Sequence, residues 1–138
     1  MQELRWIVVT FALMMIVPAV GQESGEQQAF AGHWALEMSN GAAGWMALEL
    51  NEGEWSGQLW TVGQPKTIKS LRYADGKLTF KRALRIGPPE YPGGPYTGER
   101  EMRDLEASVK GDSMRVVMEV PGGQDFVHFG KRLPPLPP

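Results

Sequence analysis

Four tryptophans, Trp34, Trp45, Trp55 and Trp60, crowd into one short stretch of this chain and are its densest set of side chains suited to recognition. A flat indole can stack on the face of a sugar ring, where C–H groups meet the π cloud. It can equally fill a core or cap a barrel end. Trp34 and Trp55 read first as core. Trp45 and Trp60 divide between the two roles, because Trp45 falls opposite the apolar face of its own segment. Arg82 is the second feature. It shares a face with Leu78, Phe80 and Leu84, and an inward guanidinium needs an anion or a satisfied hydrogen-bond network. It could orient a carboxylate or a polar ligand, or its stem could run along apolar surface to the rim.

Other chemistries are weaker here. His33 and His128 could shuttle a proton as a pair, but each reads more simply as a solitary strand residue. Glu99, Glu101, Asp104 and Glu106 could supply a glycosidase carboxylate pair. Arg100 and Arg103 among them argue instead for surface ion pairs. There is no Gly-x-Ser-x-Gly and no cysteine, so no catalytic residue is assigned and thiol chemistry and disulfides are excluded. Two histidines do not suit a histidine-rich zinc site, and neither metal nor cofactor is expected. A net charge of −2 without a basic stripe excludes nucleic acid as a partner. Met38, Met46, Met102, Met114 and Met118 read as adaptable core filler.

These side chains must be positioned by strands. From Ser39 onward, turn signals recur about every eleven residues, with short alternating apolar runs between them. They include Asn40-Gly41, Asn51-Glu52-Gly53, Gly63-Gln64-Pro65, Asp75-Gly76, Lys110-Gly111-Asp112 and Pro121-Gly122-Gly123. Asp75-Gly76 is the strongest hairpin signal, because a primed turn needs positive φ at both central residues. The stretch Gly87 to Tyr96 carries Pro88, Pro89, Pro92 and Pro95 and reads as a surface loop. The pattern predicts an all-β fold: an eight-stranded antiparallel up-and-down barrel, in which closure removes exposed edges, with a two-sheet sandwich as the alternative. In this barrel Thr67 to Tyr73 is one polar strand near the rim.

The ends read differently. Trp6 to Val17 is almost uninterrupted apolar sequence, Pro18 breaks it, and Ala19-Val20-Gly21 supplies small residues before a cut at Gln22. Residues 1–21 are therefore expected to be a secretory signal peptide, cleaved after Gly21, on a secreted or periplasmic protein. The run is shorter than the roughly 20 residues a spanning helix needs, so membrane contact is expected only through an uncleaved signal segment. Residues 22–29 read as a flexible leader, 30–132 as the barrel domain, and 133–138 as a proline-rich tail or truncated linker.

Two sets of residues carry resemblances. Gly32-His33-Trp34 opens the first strand, and Lys131-Arg132 ends the last. This resembles lipocalin-like barrels, in which a Gly-x-Trp plugs the bottom and a terminal basic residue covers the indole. The resemblance implies a barrel-closing role for Gly32, Trp34 and Arg132. More widely, Gly32-His-Trp34, Gly44-Trp45-Met-Ala-Leu48, Gly57-Gln-Leu-Trp60, Asp75-Gly-Lys-Leu-Thr-Phe80 and Phe129-Gly-Lys-Arg-Leu-Pro-Pro-Leu-Pro-Pro138 form a second set. On these, residues 30–138 resemble the small β-barrel module that precedes the 3-keto-disaccharide hydrolase domain in secreted planctomycete-type bacterial proteins. The resemblance implies a non-catalytic binding or accessory module linked to carbohydrate processing, with a small molecule or saccharide as ligand and a downstream hydrolase domain as possible partner. The ligand is then expected at the barrel mouth, walled by Trp60, Arg82, Trp45 and the loop ending at Tyr96. A structural or interaction domain with a filled barrel is one alternative, and an enzyme related to the hydrolase itself is another.

Overall fold

Alternating side chains can bury only one face of a strand, and in this chain nine strands form a single sheet around one buried core. The computed structural model describes residues 25–135 and 137. The expected signal peptide, residues 1–21, lies outside the described residues. The strands are β1 (Gly32–Glu37), β2 (Ala43–Asn51), β3 (Glu54–Trp60), β4 (Lys66–Thr67), β5 (Lys69–Ala74), β6 (Lys77–Arg85), β7 (Arg100–Lys110), β8 (Ser113–Met118) and β9 (Phe126–Arg132). They form one antiparallel sheet in the order β4-β3-β2-β1-β9-β8-β7-β6-β5, which curls into a nearly closed barrel. Each strand pairs with its successor except β4, which does not pair with β5, and the first strand pairs with the last. Tight turns carry the hairpins: Glu52 and Gly53 have φ of 52° and 81°, and Asp75 and Gly76 have 51° and 75°. Both pairs meet the positive-φ demand of a primed two-residue turn.

Two departures from the sequence reading concern the wall. The polar strand expected over Thr67 to Tyr73 is broken into β4 and β5, so the sheet has nine strands where eight were expected. The break falls at Ile68, and Ser70 at φ 59° with a register shift between Lys69 and Arg72 distorts β5 just after it. The physical reason lies opposite, at Gly57. A Cβ there would stand 2.9 Å from Leu48 Cδ2 and 3.1 Å from Ile68 Cδ1. The bare glycine lets Ile68 turn its side chain into the core while its N–H bonds Gly57 O at 2.9 Å. The strand thus pairs with β3 through its first residues and with β6 through its last. Met102, expected in the core, is exposed, because it alternates with the inward Leu105 register on β7. The other four of those methionines, Met38, Met46, Met114 and Met118, are buried.

The core fills the interior. Trp34, Met46, Leu48, Leu78, Leu105 and Met118 are its largest fully enclosed side chains. A barrel of about eight strands is just wide enough for side chains to fill. One end is sealed by a compact group. Trp34 is fully buried and donates from Nε1 to Phe30 O at 3.0 Å. Phe30 meets Tyr73 edge-on at 5.9 Å. Residues 25–28, expected within a flexible leader, form one helical turn ahead of Phe30. Arg132 lies over the Trp34 ring at 4.2 Å. Its Nη1 donates to Ala31 O at 2.7 Å, its Nη2 to Ala29 O at 2.5 Å, and its Nε to Asp112 at 3.0 Å.

A lysine at 132 would keep the charge and lose the fork of donors. Arg132→Lys is expected to cost about 1–3 kcal/mol of stability, and Trp34→Ala about 3–5 kcal/mol, in urea unfolding followed by fluorescence. An Arg132→Lys protein as stable as the parent would show that the clamp contributes charge alone.

Candidate functional site

At the other end of the barrel the inner face turns polar. Leu78, Phe80 and Leu84 point inward from β6, and the same parity turns Arg82 inward among them. On β9 the parity of Gly130 turns His128 inward opposite Val116, and His128 is 3% exposed. The two interact electrostatically. The wall explains where Arg82 reaches. β5 follows β6 only as far as the Lys69–Lys81 pair, which leaves residues 82–85 without a sheet neighbour on that side. Arg82 bridges this seam by donating from Nη2 to Thr61 Oγ1 at 3.0 Å, just past the end of β3.

His128 is held by its other nitrogen. The Ser39 N–H donates to Nδ1 at 2.9 Å. A neutral imidazole whose Nδ1 accepts carries its proton on Nε2. Burial pushes the imidazole well below its ordinary value, to about 4, and the nearby Arg82 charge adds to the effect. His128 is therefore neutral near pH 7, with Nε2–H as a donor. Burial also works against the charged form of Arg82, with Arg100 adding to this and Tyr96 opposing it. Neither His128 Nε2 nor Arg82 Nη1 has a hydrogen-bond partner among the described residues.

A roof covers this end. Residues 86–99 fold back on themselves through the Pro89–Tyr96 bridge and the bond from Thr97 N to Pro88 O. The roof is tied to the β1–β2 turn. Gly93 N donates to Asn40 O at 2.6 Å, Asn40 Nδ2 donates to Gly94 O at 2.5 Å, and the hydroxyls of Ser39 and Tyr96 are hydrogen-bonded. Tyr96 stacks on Phe126 at 4.8 Å between centroids. A cleft of about 420 Å³ runs beside this stack, lined by Ser39, Pro88, Tyr96, Val120 and Phe126.

The expected ligand residues do not form one wall. Arg82 lies inside and Tyr96 belongs to the roof. Trp45 and Trp60 are cross-strand partners on the outer face of β2 and β3, because their neighbours Met46 and Leu59 take the inner one. Trp60 is 39% exposed, with its indole fixed by a 2.6 Å bond from Nε1 to Gly63 O. His33 reaches Trp45 from β1, with ring centroids 5.3 Å apart. The barrel wall therefore separates His33 from His128, and a proton-shuttling pair is not formed. The acidic run is ion-paired on the surface: Glu101 with Arg103, Asp104 with Lys81 and Glu106 with Lys77. No cluster able to hold a metal occurs among the described residues. Ser39, Asn40 and Thr61 were missed by the sequence reading, since small polar residues in turns carry no signal of what they will meet.

No protein-family model, no curated protein and no solved structure matches this chain.

The pH dependence of stability follows from His128. The unfolded chain takes up its proton near pH 6.5, and the folded chain resists to about 4. Stability is therefore full above the unfolded value and falls as pH drops from about 6.5 to about 4. The His128 share of that loss is about 3 kcal/mol. Urea unfolding from pH 8 to pH 4 should show a shallower decline for His128→Asn than for the parent; parallel declines would refute the assignment.

Proposed function

We propose that this chain is an exported, non-catalytic β-barrel binding module of the lipocalin-like kind, accessory to carbohydrate processing, and that saccharide stacks on its outer aromatic face. The observation that carries the reading is the outward pair Trp45–Trp60 in register on β2 and β3, extended by His33 on β1. An indole that is partly exposed and held by a hydrogen bond from its own Nε1 presents a ring face without further ordering cost. The likeness of residues 30–138 to modules that precede a 3-keto-disaccharide hydrolase domain supports the link to sugars. The ninth strand fits an eight-stranded plan if β4 and β5 are taken as one strand broken at Ile68.

A second reading is a structural or interaction domain with a filled barrel and no ligand. It is favoured by the packed interior, where methionine and leucine occupy the volume a lipocalin-like ligand would take.

Affinity electrophoresis through gels cast with soluble polysaccharides separates the two. Retardation of the parent on at least one polysaccharide is expected, with Trp60→Ala weakening it by about tenfold and leaving the unfolding midpoint little changed. Absence of retardation on every polysaccharide, with no change in tryptophan emission, would favour the filled-barrel reading.

A further inference from the structure

We propose that the roofed end of the barrel is a second binding site, for a small carboxylic acid, with Arg82 Nη1 and the Nε2–H of His128 as the donors to its carboxylate. The site is independent of the outer aromatic face. A guanidinium does not shed its proton in a protein, so Arg82 carries its charge into the barrel. The other arginines of the inner seam and the sealed end have carboxylates: Arg103 has Glu101 and Arg132 has Asp112. Arg82 pairs with no carboxylate among the described residues; its one side-chain partner there is the Thr61 hydroxyl. A half-buried guanidinium whose Nη1 is enclosed without a partner calls for an anion.

The neighbouring group sets the class of anion. His128 is almost wholly enclosed, and its Nδ1 is occupied by the Ser39 N–H, so its remaining nitrogen presents a second donor rather than an acceptor. Two donors from two strands, sharing a single positive charge, match the two oxygens of a monoanionic carboxylate. A phosphate dianion would bring more charge than the site offsets. The ligand's body has a place as well. The cleft beside the roof is lined by Pro88, Tyr96, Val120, Phe126 and Asp125, whose Oδ1 accepts from Val120 N, and it shares Ser39 and Tyr96 with the surroundings of the two donors. Neither donor lines the cleft itself; a ligand seated there and bonded to both displaces the Ser39–Tyr96 hydroxyl contact. An apolar or aromatic acid fits this combination.

Benzoate is the probe, with benzamide as its uncharged counterpart and inorganic phosphate as the competing anion, all at matched ionic strength. Calorimetry on the parent protein should show heat of binding for benzoate, none for benzamide, and no displacement by phosphate at equal concentration. Arg82→Met should weaken benzoate by about tenfold or more. His128→Asn keeps an acceptor near the Nδ1 position and removes the Nε2 donor, and should also weaken it. In the parent protein the imidazole Nε2–H resonance should move on adding benzoate, a readout that depends on no variant folding. Trp60→Ala should leave all of this unchanged. No heat and no movement of that resonance, undiminished binding by Arg82→Met, or equal displacement by phosphate would each overturn the proposal. Retardation on polysaccharide gels could persist in any of those cases, so the outer-face reading stands or falls separately.

Discussion

The guanidinium of Arg132 joins the first strand to the last, and the distinction between inside and outside rests on that junction. Its fork holds the carbonyls of Ala29 and Ala31, its face covers Trp34, and Asp112 fixes it from the β7–β8 turn. β1 and β9 are paired there in register, with Trp34 opposite Arg132. Such a group contributes through geometry as much as charge. The cation–π contact adds about 0.5–2 kcal/mol, but three directional bonds also set where the first strand begins. Once the first and last strands are neighbours, strand alternation sorts each side chain to one face or the other.

Closure on the far side of the ring works by a different device. Between β3 and β6 the chain does not supply a full strand; it crosses. Gly57 leaves room for Ile68, Ile68 N bonds Gly57 O, and the strand changes partner at that point. The cost is a short stretch of β6, residues 82–85, with no sheet neighbour on that side. Arg82 reaches across it to Thr61. The polar interior at this end is thus a consequence of how the wall is made. A continuous strand would have placed a backbone ladder where the guanidinium now lies.

The same sorting separates two kinds of surface. The outer face carries indoles in contact with solvent, where stacking is cheap and no desolvated charge is involved. The inner face under the roof carries a neutral imidazole and a charged guanidinium, where every polar atom without a partner costs free energy. The roof is held by turn residues, Ser39 and Asn40, that bond the loop on one side and His128 on the other. Loop, turn and interior donors therefore form one connected hydrogen-bonded group.

Much of the local structure was legible in the chain itself. Alternation placed Leu78, Phe80 and Leu84 with Arg82 on one face, and Asp75-Gly76 and Glu52-Gly53 announced hairpins, because both signals depend only on neighbouring residues. The parity of Trp45 against Met46 and Leu48 was equally readable. Which strand would break, and at which residue, was not, since Ile68 turns inward only because Gly57 on another strand is bare. Nor could the sequence show that Trp60 and Arg82 stand on opposite sides of the wall, or that Ser39 would settle the tautomer of His128 from 89 residues away. Short-range periodicity and turn chemistry are properties of the chain alone. The company each side chain keeps is a property of the nearly closed ring, because curling the sheet brings together residues that have no relation along the sequence.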